Sequence, residues 1–403
     1  MNRNIFKDQK VKNAIYIGTL CSVSYLVVYT ARNILGAVTP KMIENGFTEG
    51  YIGKASSIYF ILYAVGHLIN GLIGDKIKAR NMISIGLLIA GITIFLFSNF
   101  VGEMPEMGLV IYGLTGFFLS MIYAPMTKVV AENTEPMHAS MCSLGYTFAS
   151  FFGSPIAGAM AAVLIWENVF LTSSIALEVM AVICFMCFIA LEKKGVVKYN
   201  QYDRKKKENG NINVLIENSI MKYTIVSVLT GVVRTTVVFW MPTYISQYLG
   251  FSAEKSAVIF TGATFVISFT TFIAMLIYEK LKRNLGHSIL VMFSASAIFF
   301  ALLYLVKQPA LNIVLLVLAI MASNGAATML WSVYCPGLRD TGMVSSATGF
   351  LGFMSYMAAA VSSTLFANSV STIGWGNLIL VWCVLMISGI LVVLPYRRRR
   401  KLK

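Results

Sequence analysis

Apolar runs of about 20 residues recur along the whole chain, the length an α-helix needs to cross a hydrocarbon core about 30 Å thick. Lipid offers backbone polar groups no water, so such runs fold as helices whose hydrogen bonds close internally. The runs read as twelve spans, near 14–38, 52–73, 82–100, 107–130, 140–165 and 168–191, then 222–247, 255–278, 287–306, 311–335, 343–368 and 375–395. Only 12% of the residues are charged, whereas a soluble domain carries about a quarter. The first run follows basic residues, lacks a small-residue cleavage site and is longer than a signal-peptide core, so it reads as a retained first span. The expectation is an all-α membrane protein.

The distribution of Lys and Arg orients the chain. With the N-terminus inside, the inner segments hold Arg3, Lys7, Lys10, Lys12, Lys76, Lys78, Arg80, Lys128, Lys280, Lys282, Arg283 and Arg339, the basic cluster between spans six and seven, and the run 397–403. The outer segments hold only Lys41, Lys54, Lys255 and Lys307. The positive-inside rule then puts both termini in the cytoplasm. It also accounts for the net charge of +15 without a nucleic-acid partner, and the terminal basic run can touch anionic lipid.

Two arginines, Arg32 and Arg234, fall inside spans, and each is followed eight positions later by a proline, Pro40 and Pro242. A charge at mid-membrane costs about 2.5–3.5 kcal/mol on insertion scales and more on an isolated helix, so intramembrane charges mark function. The stretches 24–80 and 226–284 repeat further features. Gly46-Phe47-Thr48-Glu49 corresponds to Gly250-Phe251-Ser252-Ala253, with Thr48 or Ser252 placed to cap the next helix. Asp75-Lys76 corresponds to Glu279-Lys280, the offset drifting from 202 to 204. The chain therefore reads as two pseudo-symmetric six-helix bundles, 1–191 and 222–403, joined by a polar cytoplasmic linker, 192–221. Parallel six-span repeats of this kind place substrate near the midplane, between the halves.

Gly71-Leu72-Ile73-Gly74-Asp75-Lys76-Ile77-Lys78-Ala79-Arg80 resembles the signature loop of the major facilitator superfamily, with Lys78 where that motif usually has glycine. Asp75 and Lys76 are thereby expected to act in gating; the competing reading is a plain topology-setting loop. Within that superfamily the chain resembles the organophosphate:phosphate antiporters of glycerol phosphate and hexose phosphates. The resemblance rests on Tyr25-x-x-x-Tyr29-x-x-Arg32 with Pro40, on Arg234 with Trp240-x-Pro242-Thr243-Tyr244, and on Ala347-Thr348-Gly349-Phe350-Leu351-Gly352. It implies that Arg32 and Arg234 grip phosphate and that Tyr25 and Tyr29 line the site. It also implies a location in the inner membrane, a monomer, and two small-molecule partners, the organic anion and inorganic phosphate.

Chemistry agrees on independent grounds. A phosphate monoester near neutral pH carries close to two charges, and two guanidiniums can each offer it a planar bidentate fork. Tyr25 and Tyr29 share a helical face with Arg32. His67 stands where the glycerol-phosphate branch carries lysine; it is either a titrating anion ligand or a neutral core histidine. The family's span-five histidine falls near Phe148 or Ala149 here, and its span-eight glutamate near Ala263 or Thr264, so the shell around the arginines differs. Glu178 is the one in-span carboxylate able to compete for an arginine. Gly153-Ser154-Pro155 in span five suits close packing or bending. Cys184-x-x-Cys187, embedded in apolar residues, reads as packing. No cofactor, metal or enzymatic motif is evident. Two alternatives stay open: transport of another dianion such as a dicarboxylate, and a transporter-like sensor of sugar phosphate.

Overall fold

The structure is a computed structural model describing residues 9–73, 77–199, 216–338 and 344–394. The described residues form α1 (Gln9–Glu44), α2 (Glu49–Ile73), α3 (Ala79–Phe100), α4 (Pro105–Leu119), α5 (Tyr123–Asn133), α6 (Pro136–Val163) and α7 (Trp166–Lys193). These are followed by α8 (Ile220–Thr243), α9 (Ala253–Ile267), α10 (Thr270–Lys280), α11 (Leu285–Leu305), α12 (Pro309–Met329) and α13 (Val344–Val393). Twelve stretches are long and apolar enough to cross a membrane, each overlapping one of the expected spans. The chain is an all-α, twelve-span membrane protein.

Two spans are split. The fourth is α4 and α5, separated at Ser120–Ile122; Pro125 cannot bond the carbonyl four residues back, and its ring crowds that carbonyl. The eighth is α9 and α10, separated at Ser268–Phe269. There Ser268 Oγ donates to the Thr264 carbonyl at 2.8 Å, and Thr264 Oγ1 donates to that of Phe260 at 2.7 Å. Hydroxyls bonding back onto carbonyls bend a helix. Conversely, α13 carries two spans across Gly374, whose φ of 74° belongs to the left-handed region. Spans seven and ten close with five-residue π turns, Tyr244–Tyr248 and Leu330–Tyr334.

The internal repeat is visible in the backbone. Gly46 has φ 93° and Gly250 φ 77°, both left-handed. Two residues after each, a hydroxyl caps the next helix: Tyr51 N–H donates to Thr48 Oγ1 at 3.2 Å and Lys255 N–H to Ser252 Oγ at 3.4 Å.

Two compact units follow from the packing, and the division does not run at the chain's midpoint. The first takes in Met1–Lys207, Val238–Ser268 and Ala359–Asn368; the second takes in Glu208–Val237, Phe269–Ala358 and Ser369–Lys403. Helix packing in lipid relies on small residues that let backbones approach, and both units use them. In the first, α6 lies along α1: a side chain at Gly153 would meet Tyr29 backbone at 2.5 Å, and one at Gly18 would meet Cys142 Sγ at 2.8 Å. A Cβ added at Gly36 on α1 would lie 2.9 Å from the Phe239 carbonyl oxygen. Along α2, Ser57 Oγ bonds the Ala360 carbonyl and lies 2.7 Å from Thr364 Oγ1, while Ser56 and Ser363 hydroxyls meet at 3.3 Å.

In the second unit, Ser227 Oγ donates to the Leu351 carbonyl at 3.0 Å, and Gly231 presses on Ser355. Tyr223 and Tyr334 stack with centroids 3.9 Å apart. They pack on a core formed by Ile220, Leu330, Cys335, Leu338, Ala347 and Leu351.

Candidate functional site

Arg32 sits well inside α1, which runs on past it to Glu44 and begins earlier than its apolar run. At about 1.5 Å per residue, the 36-residue helix is much longer than a bilayer core. Its guanidinium stands over three ring faces: 5.1 Å from the centroid of Tyr29, 5.1 Å from Tyr63 and 5.4 Å from Phe60. Nη1 also donates to the Tyr29 hydroxyl at 3.3 Å. Aromatic faces carry negative quadrupole density, worth about 0.5–2 kcal/mol to a cation as water is removed. The three ring faces thus stabilise the half-buried charge of Arg32 within the span.

Tyr25 and Tyr29 are both buried, with rings edge-to-face at 4.8 Å. His67 is half-buried on α2, its ring edge-on to Tyr63 at 4.6 Å. The structure therefore brings four of the expected site residues, Arg32, Tyr25, Tyr29 and His67, into one contiguous group of the first unit. Tyr63 is the link between the histidine and the arginine. Sequence reasoning missed Tyr63 and Phe60, although Tyr59, Tyr63 and His67 recur every four residues and so share a face of α2. Tyr123 and Tyr146, also missed, extend the group: Tyr25 lies 5.6 Å from Tyr123 and 6.1 Å from Tyr146.

Arg234 belongs to the second unit, on α8 one turn after Gly231. An added Cβ at Gly231 would collide with Ser355 Oγ and lie 3.2 Å from its carbonyl oxygen. This close approach fixes the stretch of α8 that bears Arg234 against the Leu351–Ser355 stretch of α13.

Glu178 has a local environment of its own. It accepts from Ser174 Oγ at 3.2 Å and packs over Gly91, whose carbonyl takes a 2.9 Å bond from the same hydroxyl. This places the carboxylate in the α3–α7 seam.

Asp75 and Lys76, the expected gating pair, lie outside the described residues. The far end of the same loop is described. Arg80 Nη1 bonds Glu192 Oε2 at 2.8 Å and stacks over Phe185. Glu192 Oε1 accepts from the Tyr199 hydroxyl at 2.7 Å, and Lys198 N–H donates to Asn133 Oδ1 at 2.7 Å. Burial, and then the Glu192 carboxylate, hold the Tyr199 phenol well above its ordinary value. It therefore donates to Glu192 throughout the neutral range. The residues just after α7 are in this way tied to α3 and α5.

A family model described as Major Facilitator Superfamily matches residues 21–363. Among characterised proteins, the chain is 24% identical over 382 residues to a phosphoglycerate transporter protein of Salmonella typhimurium, covering 87% of this chain and 82% of that one. It is 20% identical to a glycerol-3-phosphate transporter of Bacillus subtilis, over 62% of this chain and 60% of the relative. It is 23% identical to the membrane sensor protein UhpC of Salmonella typhimurium, over 92% and 89%. Among solved structures, a D-xylose-proton symporter superposes with a TM-score of 0.73 at 13% identity, covering 95% of this chain and 97% of that one. The nucleoside transporter NupG superposes at 0.71 with 15% identity, covering 94% and 98%.

Proposed function

The chain belongs to the Major Facilitator Superfamily, and we propose that it carries a phosphorylated organic anion, a sugar phosphate or glycerol phosphate, across the membrane in exchange for inorganic phosphate. The observation that carries this reading is the Arg32 guanidinium, held inside a spanning helix over three ring faces. A charge kept in that setting stabilises the fold little and binds an anion well. Arg234, at the repeat-related position of the second half, supplies the matching cation. Two guanidiniums fit a phosphate dianion, for which arginine offers bidentate geometry. Two relatives whose names state an organophosphate cargo point the same way.

In this reading, 1–191 and 222–403 act as the two halves of an alternating-access transporter in the inner membrane, joined by 192–221, with both termini cytoplasmic. Arg32 and Arg234 act as the ligands of the anion. Tyr25 and Tyr29 line the site, and His67 acts on it through Tyr63. Asp75 and Lys76 serve the gate on the cytoplasmic side. The unit is a monomer.

The test is exchange in proteoliposomes of the purified chain. Vesicles loaded with phosphate should take up labelled glycerol 3-phosphate or hexose 6-phosphate, and vesicles without phosphate should not. Uptake inhibited by succinate and indifferent to phosphate would move the assignment to dicarboxylates. A second reading is favoured by the likeness to a membrane sensor along nearly the whole chain. It is a receptor that binds sugar phosphate without turning it over. Saturable binding with no exchange above the leak of empty vesicles would establish it.

A further inference from the structure

Tyr123 belongs to none of the motifs that carry the family resemblance, yet the fold delivers it to the anion site by a dedicated construction. Pro125 has no N–H to give the Met121 carbonyl, and between the end of α4 at Leu119 and the restart of α5 at Tyr123 the Met121 and Ile122 N–H groups bond only three residues back. The interruption would strand main-chain groups in a dry interior, a costly situation unless they are bonded. Ser120 Oγ donates to the Phe117 carbonyl at 2.6 Å, and Asn70 Nδ2, from α2, donates to Ser120 Oγ at 2.7 Å and to the same carbonyl at 3.4 Å. Asn70 and Ser120 are both almost fully buried. They hold the break in one geometry.

The break turns Tyr123 onto α1 and α6. Its ring lies 5.6 Å from Tyr25 and 6.2 Å from Tyr146, and Tyr25 in turn lies 4.8 Å from Tyr29. Four phenols from three helices thus form one continuous surface ending at Arg32. Three of them are buried, and Tyr123 is the partly exposed member. These four side chains bring ring faces and hydroxyls, and none brings a charge. Such a surface suits the C–H faces and hydroxyls of a polyol or sugar better than a second anionic group such as a carboxylate, because the phenols themselves carry no positive charge.

We propose that Tyr123 is a specificity-determining residue: it contacts the organic part of the substrate while the arginines hold the phosphate, and it favours an uncharged hydroxylated group over a carboxylate. This rests on the transport reading above, and the experiment separates the two. In reconstituted full-length protein, phosphate self-exchange reports the anion core alone, and exchange of phosphate for glycerol 3-phosphate, hexose 6-phosphate or 3-phosphoglycerate adds the organic part. In Tyr123→Phe the ratio of KM for glycerol 3-phosphate to KM for phosphate should rise about fivefold, the loss of one neutral hydrogen bond. The preference for glycerol 3-phosphate over 3-phosphoglycerate should narrow by a similar factor. Heat protection of the solubilised protein by the same ligands gives a second reading of each ratio without transport. Ratios within twofold of the parent by both measurements would overturn the assignment of Tyr123. Failure of the parent to exchange or be protected by phosphate would overturn the transport reading, and this inference with it.

Discussion

Gly153 of α6 leaves no room for a side chain against Tyr29 of α1: a Cβ there would lie 2.5 Å from the Tyr29 carbonyl carbon and 2.6 Å from its Cβ. The contact is one turn before Arg32, so the helix bearing the arginine is positioned by the absence of an atom on its neighbour. Gly153→Ala should cost about 1–3 kcal/mol, as overpacking does, seen as a lower melting temperature in detergent. It should also weaken substrate affinity by displacing Tyr29. An alanine variant matching the parent in both would mean that the two helices separate freely at this depth.

The hydroxyl seam of the first unit gives a reversible lock. Ser56 Oγ and Ser363 Oγ are 3.3 Å apart, a separation from which paired cysteines can reach disulfide geometry. If transport requires α2 and this end of α13 to part, the double variant Ser56→Cys/Ser363→Cys should lose exchange on oxidation and regain it with reductant. The parent's six free cysteines make the oxidised parent the necessary control. Full activity of the cross-linked protein would exclude opening at this seam.

Arg80 and Glu192 form an ion pair 2.8 Å long with side chains about one-fifth exposed, at 18% and 20%. Solvent screens it in part, so a double-mutant cycle of Arg80→Ala and Glu192→Ala should give a coupling of about 1 kcal/mol. Glu192→Ala should also loosen Tyr199, read as faster proteolysis just after α7. Because burial and Glu192 raise the Tyr199 pKa, its contribution is fully present below the ordinary tyrosine value, near 10. It is lost only as pH rises beyond that value. Thermal stability should therefore show no Tyr199-dependent step between pH 6 and about 9.

Much of the architecture was legible because lipid allows so few solutions. Span length and the repeated Gly–Thr and Gly–Ser turns each have a direct physical cause, and the capping hydroxyls of Thr48 and Ser252 stand where the repeat put them. Arg32, Tyr25 and Tyr29 were legible as one face of one helix. Tyr123 and Tyr146 were not, because their approach to Tyr25 depends on how three helices pack. The split of the fourth span had a signal in Pro125, whereas that of the eighth rests on Thr264 and Ser268 bonding their own helix, a choice open to any in-span hydroxyl. The assignment of 238–268 and 359–368 to the first compact unit has no local signature, since it depends on the small-residue contacts that Gly36 and Ser57 make far along the chain.

His67 offers a test of the aromatic relay. Its ring meets Tyr63 edge-on, and Tyr63 faces Arg32. Tyr63→Leu removes one of three faces under the guanidinium and should weaken phosphate affinity about two- to fivefold, within the range for an aromatic–cation contact. His67→Phe should preserve the ring contact and cost less. Equal losses in the two variants would assign His67 a direct role at the anion.

The most direct measurement is phosphate:organophosphate exchange by Arg32→Lys and Arg234→Lys in proteoliposomes, with orientation and protein amount matched to the parent. Lysine keeps the charge and loses the planar fork. Anion binding by a bidentate arginine pair predicts that each single variant loses at least about 2 kcal/mol of transition-state binding, roughly thirtyfold in kcat/KM. Robust exchange by either variant would contradict the assignment of that arginine to the substrate.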